Sequence, residues 1–176
     1  MRIAGKSLKA VSKGNVNVKP AAVSNSTASS GRFKMDLQMF AKKSGKGTVN
    51  IDTGTANAFI SQDSAIRHEL KAYVEGKNMV MTETAVKEFR NIVNGAGGAL
   101  EQARAKRFLN RVTIISDNPS ARAINLQNTK KVGANDKIIF GTGDNLNIVT
   151  MTSDAKFVRG ASAQGVDFNV YVHSPM

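Results

Sequence analysis

Four acidic residues could converge on one rim: Asp52 at the end of a strand-like segment, Glu88 one to two turns into a helix-like one, Asp136 at the start of another, and Asp154 just past the strand-like segment that follows it. In a parallel α/β sheet, ligands gather outside the carboxyl ends of the strands, where the chain turns into helices. Carboxylates brought together there repel one another unless a cation neutralises them. Hard oxygen donors of this kind suit Mg²⁺ or Mn²⁺ rather than a soft metal. Such an ion can activate water and stabilise the leaving oxygen in phosphodiester hydrolysis. Each acid also has a plainer role open to it: Asp52 as a strand-end cap, Glu88 on a solvated helix face, Asp136 as an N-cap and Asp154 as a turn residue.

The elements that must position these acids can be read from local pattern. Val49–Thr53 reads as a short strand ending at the turn-forming Gly54. Phe59, Ile66, Leu70 and Val74 recur at helical spacing and predict a helix within 56–75. A short apolar stretch spans Lys77–Met81, and Thr82 is placed to cap a helix carrying Val86, Phe89 and Val93 that stops at Asn94-Gly95. The following Gly95-Ala96-Gly97-Gly98 lacks the Lys-Ser/Thr of a phosphate-binding loop and reads as a helix-to-helix turn. A second helix over Ala99–Asn110 then leads into the β-branched run Arg111–Ile115. Asp117-Asn118-Pro119 reads as a helix start. Asn147–Thr152 and Val166–Val172 are strand-like. Asn135–Asn145 could be strand or helix. Gly141 and Gly143 weaken a helix by roughly 1 kcal/mol each, yet a crossover is needed before Asn147, so a helix capped by Asn135 or Asp136 is expected. Strands alternating with helices predict a parallel sheet covered on both faces.

Composition sets further bounds. The 176 residues are 41% hydrophobic, enough for one domain with a core, and contain no cysteine, which removes disulfides, thiolate metal sites and a cysteine nucleophile. No apolar run approaches the roughly 20 residues needed to cross a bilayer. Lys9, Lys13 and Lys19 interrupt any signal-peptide core, so no secretory signal is expected. His68 and His173 stand apart, with no Ser/His/Asp arrangement, and read as surface or core residues. The net charge of +12 is uneven: residues 1–47 hold ten Lys/Arg against Asp36 alone. A flexible basic leader over 1–47, with an apolar segment at 35–41, is therefore expected before a domain at 48–176, and its charge matches a phosphate backbone. Arg104, Arg107 and Arg111 cluster on and after one helix and are nucleic-acid-binding candidates, with an ordinary charged face as the other reading.

In order along the chain, the acids and their flanks resemble the PIN-domain nucleases. Val49-Asn50-Ile51-Asp52-Thr53 followed by Ala58-Phe59-Ile60 is similar to that family's opening strand, aspartate-threonine and apolar helix. Met79–Thr82 through Glu88-Phe89 is similar to its second strand and acidic-apolar pair, and Asn135-Asp136 with Ile138-Ile139 to its third acidic position. Val149–Phe157 is similar to its apolar-Thr-x-Asp-x-x-Phe signature. The glycines at 141 and 143 depart from the family's alanine-like helix, and Asp63, Glu83 and Asp144 are additional acids nearby. Glu83 competes with Glu88 for the second position; the following Phe89 favours Glu88.

This resemblance implies a PIN-like three-layer α/β/α fold around a mainly parallel five-stranded sheet. It implies a metal-dependent ribonuclease toxin in which Asp52, Glu88, Asp136 and Asp154 hold Mg²⁺ or Mn²⁺, with Thr152 supporting them by hydrogen bonds. The implied partners are an RNA substrate, tRNA or another structured RNA, and a cognate immunity or antitoxin protein; a homodimer is left open. The site of action would be the bacterial cytoplasm. The hexapeptide Asp36–Ala41 resembles a segment found near the starts of Gram-positive phage head proteins and at the junction before toxin domains in secreted polymorphic toxins. It therefore admits delivery into target cells as well. Two other readings stand beside the toxin: a non-catalytic PIN-like module for binding nucleic acid or protein, and a phage structural protein.

Overall fold

The computed structural model of the protein describes residues 47–175. The leader expected over 1–47, with its apolar segment 35–41, lies outside the described residues except for Gly47. Five strands form one sheet: β1 (Thr48–Ile51), β2 (Asn78–Thr82), β3 (Thr113–Ile115), β4 (Val149–Thr152) and β5 (Val170–Val172). Their order is β3-β2-β1-β4-β5, and every neighbouring pair is parallel. Parallel neighbours need crossovers, and seven helices among the described residues supply them. These are α1 (Thr53–Ile60), α2 (Arg67–Val74), α3 (Glu83–Ala96), α4 (Ala99–Leu109), α5 (Ala121–Ile124), α6 (Ala134–Asn145) and α7 (Ala155–Ser162).

The central strands are covered on both faces, as a parallel sheet requires. Ile51, Met81 and Met151 are fully buried in the core, together with Leu70 and Phe89. Asn50 looks the other way, toward α6, where its Nδ2 donates to the Ile139 carbonyl at 3.0 Å and to Thr150 Oγ1 at 3.1 Å. The approach is close because α6 carries glycine. A Cβ on Gly143 would stand 2.3 Å from Thr150 Oγ1, and one on Gly141 would stand 2.6 Å from the Ala123 methyl. The two residues that made a helix doubtful in the sequence are those that let it lie against its neighbours.

The structure corrects three local expectations. The pattern over 56–75 is two helices, since α1 ends at Ile60 and α2 begins at Arg67. Pro119 does not sit in a helix's first turn. Ser120 caps α5 instead, accepting the Ala123 N–H, while the Asp117 carboxylate accepts the Thr84 N–H at 3.1 Å and its hydroxyl at 2.6 Å. Gly133, rather than Asn135 or Asp136, occupies the cap position of α6, which leaves both of those side chains inside the first turn.

Candidate active site

Two of the expected acids, Asp52 and Asp154, stand at strand-to-helix junctions, Glu88 lies in the second turn of α3, and Asp136 lies in the first turn of α6. Asp52 follows β1 and caps α1, with Oδ1 accepting the Thr55 N–H. Asp154 follows β4 and caps α7, and its Oδ1 accepts the N–H groups of Lys156 and Phe157, both at 2.9 Å. The Phe157 ring is fully buried against Phe140, with centroids 4.3 Å apart, so the aromatic residue three places on locks the helix that the aspartate starts. Between β1 and β4, Thr152 joins the two aspartates. Its hydroxyl donates to Asp52 Oδ2 and accepts the Asp154 N–H at 2.9 Å. Gly54 keeps the two junctions close, since a Cβ there would stand 2.8 Å from Ser153 Oγ.

Glu88 lies on α3, beside the buried Phe89 that anchors the helix in the core. Both of its oxygens are held from other elements: Thr53 Oγ1 donates to Oε2 at 2.7 Å, and Asn135 Nδ2 donates to Oε1 at 2.5 Å. Glu88 thus touches the starts of α1 and α6 at once. Asp136, one residue beyond Asn135, accepts the Gly133 N–H, and its carboxyl is pushed up to about 6. Burial is the largest cause, followed by the charges of Asp154 and Glu88 and, more weakly, Asp52. The Asp52 carboxyl is also raised by its burial, against hydrogen bonds from Thr152 and Thr55 and the nearby His173 ring, all of which favour the charged form.

The four acids therefore share one electrostatic field. Among the described residues, though, no three acidic or histidine side chains are close enough to form a ready ligand group. The two facts agree, because like charges interact over several ångströms while a Mg–O bond spans about 2.1 Å. The donor set is all oxygen, carries an excess of negative charge and has hydroxyls around it, which fits a hard divalent cation.

Other expected and unexpected residues fall around this frame. Asp144 pairs instead with Arg122, which holds its carboxyl below the ordinary range. Arg104, Arg107 and Arg111 are not beside the acids. They line a cavity at the far end of α1, where Arg104 Nη1 donates to the Ile60 carbonyl at 3.2 Å. His173, which reads from the sequence as an isolated histidine, is buried behind the site, with Nε2 2.8 Å from Thr55 Oγ1. Thr53, Thr55 and Asn135 were likewise missed. For Thr53 and Asn135 the available signal was adjacency to an expected acid; for His173 none existed in local sequence.

Residues 53–176 match the family described as protein of unknown function (DUF1308). Two solved structures share the fold. VapBC2 from Rickettsia felis, bound to a DNA fragment from their promoter, aligns with a TM-score of 0.52 at 15% identity over 73% of this chain and 99% of that one. DNA-bound VapBC from Salmonella typhimurium aligns with a TM-score of 0.52 at 16% identity over 72% and 97%. Likeness at this identity speaks for the fold, which is the PIN-like α/β arrangement with its five-stranded parallel sheet.

Proposed function

This chain belongs to the DUF1308 family, whose description assigns no function, and we therefore propose its activity from its own residues: a metal-dependent nuclease that hydrolyses RNA phosphodiester bonds. The observation that carries this reading is the joining of Asp52 and Asp154 through the Thr152 hydroxyl, with Glu88 held by Thr53 and by Asn135, the neighbour of Asp136. A fold does not gather four carboxylates at one sheet edge without cost unless a cation is to offset them.

Asp52, Glu88, Asp136 and Asp154 would hold Mg²⁺ or Mn²⁺, in part through water. When bound, the ion activates water at neutral pH and offsets charge gathering on the phosphate. The protein's own residues prepare the site for this. Thr152 and Thr55 donate to the two Asp52 oxygens and favour its charged form in a buried setting. Thr53 and Asn135 fix the rotamer of Glu88, so little side-chain freedom is left to lose when a ligand arrives. Asp154 commits Oδ1 to the start of α7, while Oδ2 accepts no hydrogen bond from the described residues.

The substrate class, tRNA or another structured RNA, rests on the resemblance of these motifs to PIN-domain nucleases and on the basic balance of the chain. Likeness to the two VapBC assemblies supports a cognate antitoxin-type partner that keeps the enzyme inactive in the bacterial cytoplasm. The test is cleavage of tRNA and total RNA by purified protein with Mg²⁺ or Mn²⁺. Asp52→Asn and Asp154→Asn should abolish cleavage, and because asparagine caps helices about as well as aspartate, both variants should keep the wild-type circular dichroism. Undiminished cleavage by both would overturn the site. A folded wild type that neither binds Mn²⁺ in calorimetry nor cuts RNA would leave the non-catalytic binding module as the reading.

A further inference from the structure

An open cavity of about 370 Å³ lies between the end of α1, the start of α2 and the second half of α4. Arg67, Lys71, Arg104, Arg107 and Arg111 border it, and no acidic residue does. Among the described residues none of these five forms an ion pair; the pair found there joins Arg122 to Asp144. Like charges around one cavity repel, and the apolar walls of Phe59, Ile60 and Phe108 weaken solvent screening between them.

Helix dipoles explain part of this arrangement. Arg107 is in the last turn of α4, and Arg104 donates to Ile60 at the carboxyl end of α1, both places where a cation is favoured. They do not explain Arg67. It is the first residue of α2, at the helix end where positive charge is disfavoured. Its Nη2 donates to the Gln62 carbonyl at 2.8 Å, but its Nε is buried with no acceptor. A buried charged donor left without a partner is costly, and an anion in the cavity would relieve the repulsion among the five cations around it.

We propose that this cavity is a phosphate-binding site, taking a phosphate carried by a nucleic-acid strand or by a free nucleotide. Guanidinium forks pair with two phosphate oxygens at once, and Lys71 adds a compact point charge. The site is separate from the acids. It lies at the opposite end of α1 from Asp52, and eight helical residues span about 12 Å. Binding there does not rest on the nuclease reading and can be measured with metal withheld.

The experiment is calorimetry of the full chain in EDTA against pyrophosphate, adenosine monophosphate, a short oligoribonucleotide and a polyglutamate peptide. Arg67→Gln and Arg104→Gln should each weaken phosphate binding about tenfold and lower the salt dependence by about one counterion, while Arg90→Gln, outside the cavity, should not. Should either glutamine variant fail to fold, the double variant Lys71→Gln/Arg107→Gln carries the same expectation, because both side chains are exposed and make no hydrogen bond among the described residues. Tighter binding of the oligoribonucleotide than of the mononucleotide assigns the phosphate to a strand; equal affinities assign it to a free nucleotide. Unchanged affinity in the cavity variants, or polyglutamate binding as tightly as phosphate, overturns the proposal. Loss of RNA cleavage in Asp52→Asn leaves it untouched.

Discussion

Asp136 turns crowding of negative charge into a measurable property. Its carboxyl is held at about 6 in the fold against an ordinary 3.8, so between those values the folded state binds more protons than the unfolded state. Stability contributed by this group is therefore greatest below about pH 4, falls as pH rises toward 6, and stays low above it. Asp52, raised by burial, pushes in the same direction. Metal-free Asp136→Asn should gain roughly 1 kcal/mol over wild type at pH 7, after discounting for partial exposure, and nothing at pH 4. Urea unfolding in EDTA at the two pH values checks this. Thr152→Ala should cost about 1–3 kcal/mol, because it strips a donor from buried Asp52 and an acceptor from the Asp154 N–H. Thr152→Ser keeps the hydroxyl and should recover most of that loss in the same titration.

At the scale of elements, α6 shows why glycine misleads a local reading. Propensity counts Gly141 and Gly143 as losses, but the helix earns its place through closeness to β4 and α5 that only glycine permits. Gly143→Ala should destabilise by about 1–3 kcal/mol through overpacking against Thr150 and Asn50. Gly95→Ala, in the last turn of α3 with open space where a Cβ would go, should instead stabilise by about 0.5–1 kcal/mol. Opposite shifts in melting temperature are the expected outcome. Strands β1, β2 and β4 and helices α3, α4 and α6 were legible in the sequence to within two or three residues, because apolar period and capping residues are local signals. The break between α1 and α2 was not, since Phe59 and Ile66 keep a helical spacing across residues that are not helical. Thr82 caps α3 as its position suggested, but the hold of Asp117 on Thr84 in the first turn was not legible, because that contact joins residues 33 apart.

For the whole molecule, the shared field of the four acids predicts a linked response to metal. Mg²⁺ or Mn²⁺ should raise the melting temperature at pH 7 and less so at pH 5, where Asp136 is largely protonated and proton and cation compete. The rise should shrink in Asp136→Asn and vanish in Asp52→Asn; an equal rise in all three proteins would locate the ion elsewhere. The sequence by itself determined the alternation of strands and helices, the parallel sheet it requires, and the places of Asp52 and Asp154 where a strand turns into a helix. Those follow from periodicity and from the chemistry of each side chain. Only the tertiary structure decided which groups share space: Thr152 between Asp52 and Asp154, Glu88 held by Thr53 and Asn135, His173 behind Thr55, and the arginines gathered at the other end of α1. The strand order β3-β2-β1-β4-β5 sets residues about a hundred positions apart side by side, and no local pattern encodes a pairing that distant.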